Sequence, residues 1–325
     1  MSNKGTKMKN IQKIIWAASI SALTLPTAAM AEKTLRAGIW IPTQLVWAEP
    51  TKMFVDHVNE TGKGILQITL TGPEGIPGAE QANAVRNGLL DIATLPPGLY
   101  KKEVPLANAQ DISNISVVEQ KENGAYAMIS DLLHEQLGVK LLATYGDGIP
   151  FHAYVTKEIT SLDDLKGLRL RSSSIYNDFF ESLGISPTNI PAAETYTALE
   201  RGVVSGVGWP AWGIGDLGWD EFIKTRIEPG YYNVAINIMM NDNSWDNLTD
   251  EERKVIEDSV AWLESELPAF VEAKNAENTA AQDAAGIVAF DAGPDFARQA
   301  EDIYWEEMMK IDGEGAAKLR AVFQK

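Results

Sequence analysis

The stretch ILQITLTGPEGIPGAEQANAVRNGLLDIATL, Ile65–Leu95, decides the fold class. Its first six residues are apolar or β-branched at five positions, which fits a short strand. Thr71–Gly78 then packs three glycines and two prolines into eight residues and can only be a turn. The spacing that follows predicts a helix over about 79–87, and Gly88–Leu95 reads as another strand. A strand, a helix and a strand within so few residues require a crossover and hence a parallel pair.

The pattern extends in both directions. Upstream, Leu35–Ile41 (LRAGIWI) reads as a strand, and Met53, Phe54, Val55 and Val58 sit at helical spacing within Pro50–Glu60. The resulting β-α-β-α-β order predicts an α/β domain. Downstream, helix is expected over 119–137, strand over 139–145, and a crossing strand over 151–156. A second α/β unit follows, with strands at 168–171 and 186–190 and helices at 175–183 and 194–201. Val203–Trp209 is read as strand and loop, and 233–240 as a strand returning to the first unit. Thr249 and Glu252 have the capping-box spacing and open a long helix running towards Gly286. Pro268 lies inside it and predicts a kink. The remainder reads as two helical segments.

The first thirty-one residues stand apart. Lys4, Lys7, Lys9 and Lys13 precede an apolar run, Ile14–Leu25, and Ala29-Met30-Ala31 follows with small-x-small spacing. This is the layout of a cleaved export signal, and the apolar run is short for a membrane span. The formal net charge of −17 becomes −21 without this segment, which carries four lysines and no acid. Such an acidic chain lacks the basic face that nucleic acid requires. The absence of cysteine removes disulfides, thiol catalysis and zinc-thiolate sites. A soluble periplasmic protein is the expectation.

No chemical motif stands out. There is no Gly-x-Ser-x-Gly, no phosphate loop, and none of the three histidines is paired at metal-ligand spacing. In α/β sheets, ligands meet the loops at strand carboxyl ends. Trp40, Gln44, Trp47 and Glu80 fall in or near such loops, where each tryptophan either pads the core edge or lines a cleft. Phe151 opens the crossing strand. In DLKGLRLRSS (Asp164–Ser173), alternation puts Arg169 and Arg171 on one strand face, as a solvated surface or as an anion ligand.

The motifs, taken in order, resemble the substrate-binding proteins of the tripartite ATP-independent periplasmic (TRAP) transporters, the DctP-like group. DLKGLRLRSSS is similar to that family's DLKG-x-(K/R)-(I/L)-R segment. PAAETYTALERGVVSGVGW is similar to its P-x-x-E-x-Y-x-A-L-x-x-G-V stretch, and Ile65–Ala93 to its turn, helix and G-x-x-D pattern. The resemblance implies a two-lobe α/β periplasmic binding protein fold with a long kinked helix bridging the lobes. Its expected division is a signal peptide over 1–31, lobe I over 32–152 plus 241–325, and lobe II over 153–240.

The resemblance also implies a receptor, not an enzyme, that captures a small organic acid and delivers it to TRAP membrane subunits. Arg171 takes the position of the family's carboxylate-binding arginine. GVGWPAW with EPGYYNVAINIMMN is most similar to the branch that binds 2-oxo and 2-hydroxy acids, some members with a metal ion. That branch has Glu-Trp where this chain has Gly208-Trp209, and Gly208 offers no side-chain oxygen to a cation. No cofactor is therefore expected. Trp209 and Trp212 suggest an apolar wall for a flat or apolar-tailed acid, with Tyr231 adding a hydroxyl. The ligand-binding expectation comprises Arg171, Trp209, Trp212, Glu80, Trp40, Gln44, Phe151 and Tyr231. A periplasmic enzyme or a sensory receptor on the same fold are the alternatives, and the C-terminal helices are one candidate for a homodimer contact.

Overall fold

Eleven strands form two sheets in a computed structural model that describes residues 1–2 and 32–324. The expected signal segment, 1–31, lies outside the described residues from residue 3 onward. The first strand, β1 (Lys33–Ile39), leads through α1 (Glu49–Thr61) to β2 (Leu66–Thr71), then through α2 (Gly78–Arg86) to β3 (Ile92–Leu95). β1 pairs in parallel with both β2 and β3, as the crossover argument requires. Two helices follow, α3 (Val117–Asn123) and α4 (Ala125–Leu137), where one helix was expected. Gly124, at φ 87°, takes a left-handed conformation that breaks the run. β4 (Val139–Tyr145) completes this first stretch of chain.

The chain then crosses. β5 (Phe151–Val155), β6 (Arg169–Ser172), α5 (Asn177–Ser182), β7 (Ser186–Asn189), α6 (Ala192–Glu200), β8 (Gly206–Pro210) and β9 (Thr225–Glu228) follow. β10 (Ile236–Asn241) goes back and inserts antiparallel between β3 and β4. After α7 (Asp242–Asp246), the 35-residue α8 (Asp250–Ala284) continues through Pro268. β11 (Val288–Asp291), α9 (Asp295–Ile311) and α10 (Gly313–Phe323) complete the described chain.

The sheet orders are β2-β1-β3-β10-β4 and β11-β9-β5-β8-β6-β7. Each sheet is the frame of one lobe. Two strands of the second sheet were not expected from sequence. β9 lies within the expected lobe II, whereas β11 lies in chain assigned to lobe I and adds a parallel edge to β9. The two crossing segments bond to each other. Phe151 N–H donates to Tyr232 C=O at 2.8 Å, Tyr231 N–H to Phe151 C=O at 2.9 Å, and Val234 N–H to Ile149 C=O at 3.0 Å.

The core follows the strand alternation. Leu35, Ala37 and Ile39 pack with Phe54, Val58, Ile256 and Leu263 between the first sheet, α1 and the front half of α8. Each large side chain buried there contributes about 2 kcal/mol. Among the described residues no helix is long and apolar enough to cross a membrane.

Candidate functional site

β6 sits between β7 and β8, so its carboxyl end is flanked by strand ends on both sides. Leu170 points into the core and Arg169 is exposed, its Nη1 donating to Val203 C=O at 3.4 Å. Arg171 differs from both. It is only 8% exposed, and no carboxylate lies within ion-pair distance of it among the described residues. Its guanidinium lies 4.9 Å from the centre of the Trp209 ring, a cation–π contact.

The hydrogen bonds of Arg171 restrict how it can meet an anion. Nε donates to Ile190 C=O at 3.0 Å, and Nη1 donates to the Tyr176 hydroxyl at 3.0 Å and to Gly208 C=O at 3.1 Å. Three of the five N–H groups are thus engaged, and each two-pronged edge of the guanidinium has lost a prong. The two hydrogens of Nη2 remain. A carboxylate can therefore be met by Nη2 alone, and neither fork can grip it through two nitrogens without displacing one of these bonds. Tyr176 was not singled out in the sequence, where it reads as first-turn helix. Its hydroxyl donates to Gly208 C=O at 2.8 Å, and burial raises its pKa despite the opposing pull of Arg171.

Gly208 shows why no acidic residue stands there. A Cβ at this position would lie 2.5 Å from Tyr176 Cε2 and 2.8 Å from Phe180 Cζ. The rings fill the space that a cation-holding carboxylate would need, so this corner does not fit a metal ion. Among the described residues no group of three or more His, Asp and Glu side chains is arranged to hold one.

The other expected site residues scatter around this centre. Trp209 is half-buried, donates from Nε1 to Trp212 C=O at 2.9 Å, and meets Trp219 edge-on at 5.0 Å. Trp212 is fully buried, stacked on Trp47 at 5.1 Å, and so supports the site instead of lining it. Tyr231 is likewise buried in a cluster with Phe151, Tyr176, Phe179 and Phe180. Its hydroxyl has no hydrogen-bond partner, and burial raises its pKa. Phe151 reaches Arg171 only through Tyr176, 5.9 Å away between ring centres.

Trp40 is partly buried against both main apolar clusters. Glu80 is exposed in the first turn of α2. Gln44 lines a separate cavity of about 430 Å3 with Glu49, Asp216, Asp220 and Lys274, in which Arg171 takes no part. Of the expected residues, Trp209 is therefore the one that the fold lays against the Arg171 guanidinium.

His152 is also accounted for. It is buried, its Nδ1–H donates to Ile227 C=O at 2.9 Å, and burial lowers its pKa to about 4. Arg226, buried to the same degree as Arg171, is neutralised by Glu228 at 2.7 Å and bonded to Gln282 at 2.9 Å.

The sequence profile of the bacterial extracellular solute-binding proteins, family 7 (DctP), matches residues 37–310. The chain belongs to this family. Among curated relatives of this DctP-family protein, a monocarboxylate 2-oxoacid-binding periplasmic protein of Nostoc sp. is 24% identical over 209 residues. That match covers 61% of this chain and 57% of the Nostoc protein, so it spans little more than half of the latter. A Bordetella pertussis extracytoplasmic solute receptor binding pyroglutamic acid superposes with a TM-score of 0.77 at 19% identity, over 90% of this chain and 99% of that one. A TRAP periplasmic solute-binding protein of Desulfovibrio salexigens with bound orotic acid gives 0.79 at 19% identity, over 90% and 97%. At this identity the likenesses show the fold of the DctP-family chain, a two-lobe solute-binding fold.

Proposed function

We propose that the protein is a periplasmic receptor that binds a small organic acid at Arg171 and hands it, chemically unchanged, to the membrane subunits of a TRAP-type secondary transporter. The observation that carries this reading is a buried arginine without a counter-charge. Leaving a charge buried and unpaired is costly, and a ligand carboxylate supplies what the fold omits. Arg226, in the same sheet and equally buried, has its carboxylate built in. Family membership and the acids named for the Nostoc, Bordetella and Desulfovibrio proteins support the same class of ligand. The Trp209 face beside the guanidinium suits a flat or apolar-tailed acid, and lobe closure over it would exclude water.

The test is a thermal-shift screen with orotate, pyroglutamate and a short 2-oxo acid, followed by calorimetry on Arg171→Ala. A bound acid raises the melting temperature by mass action. The substitution should weaken binding about 100-fold or more, since it removes a desolvated charge partner. Unaltered affinity in Arg171→Ala would sink the assignment. Recovery of a chemically changed acid would place the protein among enzymes instead.

A further inference from the structure

The second half of α8 is bonded through three amide side chains to the loop that follows β8. In its first half α8 is fixed by apolar burial, through Val255, Ile256 and Leu263. Beyond Val271 the character changes. Asn275, Asn278 and Gln282 lie three and seven residues along one helical face. They bond to three consecutive residues of the loop after β8. Asn275 Oδ1 accepts from Trp212 Nε1–H at 2.8 Å, Asn278 Oδ1 accepts from Gly213 N–H at 3.1 Å, and Gln282 Nε2 donates to Ala211 C=O at 2.7 Å.

Each amide is held at its other end as well. Asn275 Nδ2 donates to Gly148 C=O at 3.0 Å, Asn278 Nδ2 to Lys274 C=O at 2.9 Å, and Gln282 Oε1 accepts from Arg226 Nη1 at 2.9 Å. The loop they hold carries Trp212 C=O, the acceptor for the Trp209 indole. It also carries Gly213 at φ 85°, where a Cβ would fall 3.2 Å from Trp47 Nε1 and 3.5 Å from Trp209 Nε1. Small displacements of this loop are therefore felt at both indoles.

We infer that Asn275, Asn278 and Gln282 are positioning residues for the ligand site. They fix the 211–213 loop, which orients the Trp209 ring beneath the Arg171 guanidinium. Directional amide bonds add a defined orientation to the apolar packing of Trp212 against Trp47 and Phe270. The inference rests on the assignment of Arg171 and Trp209 to the ligand, but the first arm of its test does not need a ligand.

Hydrogen exchange of tryptophan indole N–H groups, followed by NMR on 15N-labelled protein, reads the Trp209 bond directly. In Asn275→Ala and Asn278→Ala the Trp209 indole should exchange about fivefold to tenfold faster, the worth of a lost hydrogen bond. The indole of Trp305, fully buried in α9, should keep its rate. Asn278→Asp, which retains an acceptor for Gly213 N–H but loses the donor to Lys274 C=O, should give a rate closer to the wild type than Asn278→Ala does. An unchanged Trp209 rate in both alanine variants overturns the inference, and so does equal acceleration at Trp305, which signals general loosening. In a second arm, orotate or pyroglutamate affinity should fall in Asn275→Ala but fall no further when the change is added to Trp209→Phe. Additive losses in that cycle also overturn it. Failure of every acid to bind would count against the proposed function and leave the exchange result standing.

Discussion

At the scale of single residues, the second sheet treats its buried polar groups in opposite ways. Arg226 is bonded to Glu228 and Gln282, whereas Arg171 keeps Nη2 free beside a tryptophan face. His152 gives this sheet a pH dependence of known sign. Its folded pKa is lowered to about 4 from 6.5, chiefly by burial, so the unfolded chain binds the proton more readily. The stability it contributes is complete above about pH 6.5 and is lost as pH falls towards 4, amounting to about 3 kcal/mol across the window. Urea midpoints measured between pH 7 and pH 4.5 should fall for the wild type and fall less steeply for His152→Gln. Identical slopes would show that His152 is not buried as a neutral ring. Much of this scale was hidden in the sequence. The alternation in LRLR nominated two arginines without choosing between them. Tyr176, which takes up Nη1 and so limits the approach to Arg171, looked like an ordinary helix-start residue.

At the scale of elements, legibility followed the need to bury apolar surface. β1 to β4 and β10 carry clear apolar patterns because their strands face the core, and the sequence places them within a few residues. β11 is exposed at three of its four positions, so no alternation marks it. β9 has only four residues, Thr-Arg-Ile-Glu, and its buried arginine disguises an inward position. The start of α8 was plain, because the capping box is a local device. Thr249 N–H donates to Glu252 Oε2 at 2.8 Å and Glu252 N–H to Thr249 Oγ1 at 3.2 Å. Thr249→Ala should therefore cost about 1 kcal/mol in denaturant unfolding, with no change in acid affinity. A loss of affinity there would mean that the whole helix, and not only its amide face, transmits strain to the site. The amide face escaped the sequence reading because Asn275, Asn278 and Gln282 sit in a polar stretch whose partner loop only the tertiary structure reveals.

At the scale of the molecule, the chain passes between the two sheets three times: after β4, after β9, and along α8 to β11. Neither sheet is a continuous segment, and no single cut releases a complete lobe. A chain ending at residue 233 has every strand of the first sheet except β10, and every strand of the second except β11. Calorimetry on 32–233 should therefore show no cooperative transition, since β10 supplies the pairing for both β3 and β4. A sharp transition in that fragment would mean that one lobe folds without its returning strand.

The late position of β10 also has a consequence in time. β3 is buried at all four positions in the finished protein, and its partner on one edge is synthesised only after the chain has passed through β5 to β9. Until then a nascent chain that collapsed early would present an apolar strand with an open edge, ready to pair with another copy. Long-range pairing of this kind is slow to form. Holding the chain extended until Asn241 has emerged would shorten the interval in which that edge is exposed.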